Sequence, residues 1–296
     1  MSDIVDLPPI CDYENSSYRT DFWEGQGRDY EDQVERIALK RLLPARGLRL
    51  VDIGCGFGRL AGLYNNYQHV ILLDYSHSQL VYARQHWGDA RFTYVAADIY
   101  RLPLAASAVD TAVMVRVMHH LADVPRALAQ LRRILVPGGT LIAEFANKRH
   151  LKNRLRHLLK GGPDPNSPEP VEFVPLNFNF QPAWMKAHLR EAGFDLHETL
   201  SVSLYRSRSL KKLLGAGLLS RLDGLQQRIL APSEISPSLF THLTSPSAPN
   251  PVLAPIDKLF ICPECQSGAL ERYPECLHCQ TCGRDWPIVD GVYVFK

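Results

Sequence analysis

Five of the chain's seven cysteines fall within "CPECQSGALERYPECLHCQTCG", residues 262 to 283. Two C-x-x-C knuckles separated by about a dozen residues can close a tetrahedral thiolate site, the usual structural zinc arrangement. The first knuckle is Cys262 and Cys265. The second is either Cys276/Cys279 or Cys279/Cys282. Gly283 directly follows Cys282 and suits the positive φ of a knuckle turn, which favours Cys279 and Cys282. Cys276 and Leu277 then belong to the approaching strand, one facing each side. The expected metal set is Cys262, Cys265, Cys279 and Cys282, with zinc as the ion and iron as the alternative. Cys276 is the spare cysteine, and His278 is polar surface. About forty residues cannot build much of a core without a staple, so metal binding and folding of this tail are expected to be one event.

A second constellation lies near the front. "VDIGCGFG" puts Asp52, Gly54, Cys55, Gly56 and Gly58 at the end of an apolar run. Glycines after a strand let backbone approach a ligand closely, and a following helix N-terminus favours anionic groups. The dinucleotide fingerprint G-x-G-x-x-G is broken by Arg59. Asp74 and Asp98 close the next two apolar runs, and an acid at the end of the second strand can accept both hydroxyls of a ribose. His119 and His120 follow the fourth run as candidate bases, or as a packed residue and a turn residue. Glu144 on the fifth run is either buried and paired or turned toward an acceptor. Arg28 and Tyr30 stand at the entry to the first helix.

The elements that must position these groups alternate regularly. "LRLVDI", "HVILLD", "RFTYVAAD", "VDTAVMVRV" and "TLIAEFA" read as strands, separated by helical segments such as "SQLVYARQHW" and "LADVPRALAQLRRIL". This implies an α/β, doubly wound, mostly parallel Rossmann-like sheet covered on both faces. Further on, "PAWMKAHLREAGF" reads as a helix and "DLHETLSVSLYR" as a strand of undetermined position. Residues 231–255 hold six prolines and five serines, the composition of a linker. The expected division is an acidic segment at 1–27, a catalytic domain at 28–205, a basic helical segment at 206–230, the linker at 231–255 and a metal ribbon at 256–296.

Taken together, "VDIGCGFGRL", "LLDYS", "AADIYRLPL", "DTAVMVRVMHHL" and "LRRILVPGGTLIAEF" resemble the class I S-adenosylmethionine-dependent methyltransferases, in particular their type 11 branch. The resemblance implies S-adenosylmethionine as cofactor. Asp52, Gly54, Cys55, Gly56 and Gly58 would lie along its methionine and ribose part, and Asp74 would hold the ribose hydroxyls. Tyr75, Asp98 and Ile99 would meet the adenine, and Arg116 would sit beneath the sulfonium. The closing "CQTCGRDWPIVDGVYVF" resembles the small zinc-ribbon activators of RNA and translation-factor methyltransferases.

Bulk properties narrow the rest. Net charge is only +2, yet residues 1–36 carry ten acids against three bases, and residues 148–230 fourteen bases against seven acids. The start lacks a basic and apolar leader, no apolar run suits a membrane span, and few cysteines lie outside the tail, so a cytoplasmic protein is expected. Three functions remain open: methylation of a small molecule, methylation of RNA or a translation factor, and a non-catalytic cofactor-binding scaffold. The apolar closing strand is expected to dock the ribbon in cis, because an exposed strand of that kind invites aggregation.

Overall fold

The computed structural model describes residues 7–296, and the first six residues, part of the acidic segment, lie outside the described region. Helix α1 (Asp29–Leu42) carries Val34, Ala38, Leu39 and Leu42 on one buried stripe, the spacing of an amphipathic helix. It leads into β1 (Gly47–Ile53), followed by β2 (Tyr67–Asp74), α2 (His77–Trp87), β3 (Phe92–Ala97), β4 (Val109–Met114), α3 (Val124–Ile134) and β5 (Leu135–Ala146). These five strands are parallel, in the spatial order β3-β2-β1-β4-β5. Their apolar runs are continuous because both faces are covered. One core cluster contains Val51, Ile71 and Ala112, and the other contains Leu50, Val70 and Val113.

Helix α4 (Leu151–Lys160), the hairpin β6 (Val171–Val174) and β7 (Asn177–Asn179), α5 (Pro182–Glu191), β8 (Asp195–Val202) and α6 (Arg208–Gln226) follow. The segment expected as a linker then supplies a strand, β9 (Ser238–Thr244), inserted antiparallel between β5 and β8. That expectation is corrected, and with it the boundary at residue 205, since the sheet is completed only near residue 244. The prolines that suggested a linker flank the strand at Pro237 and Pro246, where no ladder bond is lost. Its hydroxyls, which suggested solvent, are buried but satisfied: Thr241 donates to the Ala143 carbonyl at 2.9 Å, and Ser238 donates to Glu144. Helix α6 packs against α1 and is interrupted at Gly215, where φ is +74°.

The tail forms β10 (Leu270–Arg272), β11 (Cys276–Cys279), β12 (Asp285–Val289) and β13 (Val292–Phe295). These pair antiparallel in sequence, and β13 lies parallel to β3, with Val292 opposite Tyr94 and Phe295 opposite Ala97. The result is one sheet of eleven strands. Leu277, Trp286 and Phe295 join the same apolar cluster as Val95 and Leu104, so the tail shares the core of the larger unit. Without β13, strand β3 would be an open edge. Among the described residues, no helix is long and apolar enough to cross a membrane.

Candidate functional site

The parallel strands end together at one edge of the sheet, and the turn after β1 lies at the centre of that edge. Gly54 has φ +68°, and a Cβ there would stand 2.1 Å from a methyl of Val117, so only glycine fits. The N–H of Gly56 donates to the Asp74 carboxylate at 2.7 Å, and the N–H of Ser76 donates to its other oxygen at 2.9 Å. Gly54, Gly56, Asp74, Tyr75, Ile99 and Arg116 line a pocket of about 770 Å³, its mouth to solvent included. Asp52, Cys55 and Arg116 line a smaller neighbour of about 390 Å³. Two expected contributors stand apart from these walls. Gly58 faces the Trp87 ring, and its carbonyl accepts the indole N–H at 3.1 Å. Asp98 accepts the Tyr100 N–H at 2.7 Å and caps the following turn.

Burial sets the protonation of the acids. Asp52 is almost fully enclosed; desolvation pushes its pKa up to about 7, against the opposing hydrogen bond from the Tyr64 hydroxyl at 2.9 Å. Asp74 is also raised by desolvation, partly offset by its backbone donors. Glu144 is buried and paired, accepting the Arg116 N–H at 2.9 Å and the Ser238 hydroxyl. Glu35 behaves oppositely. Although burial raises its pKa, Arg59 and Arg116 more than offset this and hold it below the usual carboxylate range. The Arg116–Glu35 ion pair is 2.9 Å long, and Arg59 also reaches Asp32. Arg59, which breaks the dinucleotide pattern, is thus a structural cation at the wall of the smaller cavity.

The N-terminal segment roofs this edge, a role its acidic composition did not suggest. Pro9, Ile10, Cys11, Tyr13 and Tyr18 line the larger cavity. A π-helical turn, Arg19–Trp23, buries Trp23 under Arg59, 3.8 Å from the ring centroid, while Arg28 lies 3.8 Å over Phe22. The run of aromatics at Tyr13, Tyr18, Phe22 and Trp23 was the available signal. Tyr30 is fully buried away from the cavity, its hydroxyl donating to Asp223 at 2.7 Å.

His120 lines the cavity, and its hydrogen bonds define its tautomer. Nδ1 lies 2.8 Å from the Leu176 carbonyl, an obligatory acceptor, so Nδ1 carries the proton. Nε2 is therefore bare and accepts from the Tyr13 hydroxyl at 3.3 Å. Desolvation lowers the His120 pKa below its ordinary value, which keeps the ring neutral near pH 7. His119 lies against it with centroids 4.0 Å apart and the rings tilted by 42°, and its pKa is driven well down by burial, then by His120, Arg116 and Arg206.

At the other end of the extended sheet, the sulfurs of Cys262, Cys265, Cys279 and Cys282 all lie within 4.8 Å of one another. Cys265 and Cys279 are 3.5 Å apart, and Cys262 and Cys282 3.7 Å. Tetrahedral Zn–S bonds of about 2.3 Å imply sulfur separations of about 3.8 Å, so the donor set fits such an ion. Cys276 is outside the group, and Gly283 has φ +73°. Lys296 joins the two regions, its ammonium 4.2 Å from the Tyr75 ring centroid and 3.5 Å from Glu14.

Residues 51–143 match the methyltransferase domain family. The O-methyltransferase cnsE of Penicillium expansum is 27% identical over 231 residues, covering 71% of this chain and 77% of that protein. The 27-O-demethylrifamycin SV methyltransferase of Amycolatopsis mediterranei is 28% identical, covering 71% and 76%. In fold, the chain is similar to one in the complex between the Haloferax volcanii Trm112 methyltransferase activator and its methyltransferase. The TM-score is 0.53 at 20% identity, covering 75% of this chain and 95% of that one. The front of the chain therefore has a Rossmann-like methyltransferase fold with a mostly parallel central sheet.

Proposed function

We propose that this chain methylates an oxygen of a small molecule, using S-adenosylmethionine, and that a zinc-bound ribbon completes its sheet. The observation that carries the acceptor class is the roof: Ile10, Tyr13 and Tyr18 line the same pocket as the glycine turn and narrow it, which favours a small acceptor over a polymer. The similar fungal and bacterial proteins, whose names give O-methylation, add support.

When bound, the cofactor supplies a methyl group already activated by a sulfonium. Asp74 would hold the ribose hydroxyls, Tyr75 and Ile99 the adenine, and the Gly54 and Gly56 backbone would allow close approach. The roof excludes water and orients the acceptor, and such positioning can contribute roughly 7–11 kcal/mol. Transfer of that methyl to the acceptor oxygen would leave the cofactor as a neutral thioether. The hydroxyl proton passes to Nε2 of His120, which is neutral and lone-pair bearing. His119 packs against the ring at a tilt and supports it. In the tail, the four thiolates would fill zinc's coordination sphere, leaving it structural.

Methyl-tritiated S-adenosylmethionine and the purified protein, added to extract of its own host, test the reading. Label is expected in the small-molecule fraction. Label confined to RNA or protein would replace the acceptor class, and no transfer to any fraction would sink the enzyme reading.

A further inference from the structure

We infer that helix α4 docks this chain on an anionic phospholipid surface, a role beyond the proposed reaction. Strands β5 and β8 are each antiparallel to β9, so β8 runs parallel to β5. Both therefore end at the edge of the sheet that holds the glycine turn. Helix α4 leaves that edge after β5, and α6 leaves it after β8. Neither helix lines the pocket, so this surface is separate from the site described above.

The sequence of α4, "LKNRLRHLLK", puts Leu151, Leu155, Leu158 and Leu159 on one face, within about 100° of the helix circumference. A similar spacing in α3 buries Val124, Ala127, Leu128 and Leu131 in the core. In α4 it covers nothing. No residue of the helix is buried, and Leu158 and Leu159 are 79% and 74% exposed. The helix is nevertheless fixed in place. The Leu151 N–H donates to the Ile235 carbonyl at 2.9 Å, and the Arg154 guanidinium donates to the Ser233 carbonyl at 2.8 Å. These anchors hold a leucine face out in water, where a contiguous apolar surface marks an interaction site.

Charge selects the partner. Helix α4 carries Lys152, Arg154, Arg156 and Lys160 and no acid. Lys152, Arg156 and Lys160 are exposed, and their long stems let the charges reach outward while the leucines are covered. Residues 206–222, which include most of α6, also hold no acid, and Leu213 is 79% exposed there next to Lys212. A second copy of this face would set cations against cations, a costly juxtaposition. RNA would meet the cations but leave the leucines uncovered, because its helices present phosphates and hydroxyls. A bilayer with anionic headgroups answers both features: the leucines enter the boundary between headgroups and acyl chains, and the cations meet phosphates.

Flotation of the full chain with vesicles tests the docking. Vesicles of phosphatidylcholine and phosphatidylglycerol in equal parts should bind it at least about ten-fold tighter than phosphatidylcholine alone, a preference that high salt removes. Leu158→Gln with Leu159→Gln, and separately Lys152→Gln with Arg156→Gln, should each weaken that binding at least about ten-fold. All four side chains are exposed and glutamine is a good helix former, so the melting temperature without vesicles should not change. Equal binding to the two kinds of vesicle, binding to neither, or full binding by the leucine pair overturns the inference. Capture of an RNA oligonucleotide without any vesicle binding would replace the membrane with nucleic acid. A dimer in sedimentation velocity that the leucine pair converts to a monomer would instead give the face to a second copy.

Discussion

The carboxylate of Asp74 accepts the backbone N–H of Gly56 at 2.7 Å, tying the end of β2 to the turn after β1. One residue thus shapes the loop that would lie along the cofactor and offers the oxygens that would bind its ribose.

Replacing Asp74 with Ala should weaken S-adenosylmethionine binding by ~1–3 kcal/mol, the typical loss for charge-assisted hydrogen bonds. The fold should survive, because neighbouring strand pairs hold β1 and β2 together. Titration calorimetry giving an unchanged affinity would remove Asp74 from the cofactor site.

Asp52 should make stability depend on pH. Its folded pKa, about 7, exceeds the ordinary value of 3.8 because the carboxylate is desolvated. A raised acid favours the folded state fully below the unfolded pKa, and that contribution is lost as pH rises from about 4 through about 7. Asp52→Asn, which keeps an acceptor for Tyr64, should therefore raise the melting temperature more at pH 8 than at pH 5. An equal shift at both pH values would contradict the burial argument.

The purified chain should carry one zinc ion. Cys279→Ser should release it and Cys276→Ser should not, since only the former sulfur belongs to the four-cysteine group. Elemental analysis showing equal loss from both variants would mean that the second knuckle is assigned in the wrong register.

Phe295 is 1% exposed and packs against Phe260 and Trp286, with centroids 5.2 and 5.5 Å away. Phe295→Ala should cost ~3–5 kcal/mol, as large aromatic truncations in cores do. A chain ending at Leu253 should also lose thermal stability or solubility through the bared edge of β3. Denaturation curves indistinguishable from wild type for both proteins would show that the tail does not stabilise the larger unit.

The parts of the site made by neighbouring residues were legible early. The glycine turn, the acid that closes β2, and the paired C-x-x-C knuckles each depend on local spacing and backbone conformation. Strand β9 was hidden because serines and prolines look like solvent until their partners are known, and those partners, Glu144 and Ala143, lie on another strand. The roof was hidden for a related reason: nothing near Tyr13 in sequence reveals His120, 107 residues away.

By itself, the sequence determined the alternation of strands and helices, the open backbone at Gly54 and Gly56, and the supply of four thiolates at knuckle spacing. These follow from periodicity and from the conformational freedom of glycine, which act over a few residues. Only the tertiary structure decided that β13 completes the sheet at β3 and that Glu144 is buried against Arg116 and Ser238. The reason is physical. Whether a buried charge is neutralised, or a strand edge covered, depends on groups brought together across the chain. Tyr30 and Asp223, separated by 193 positions, together hold the turn after β8.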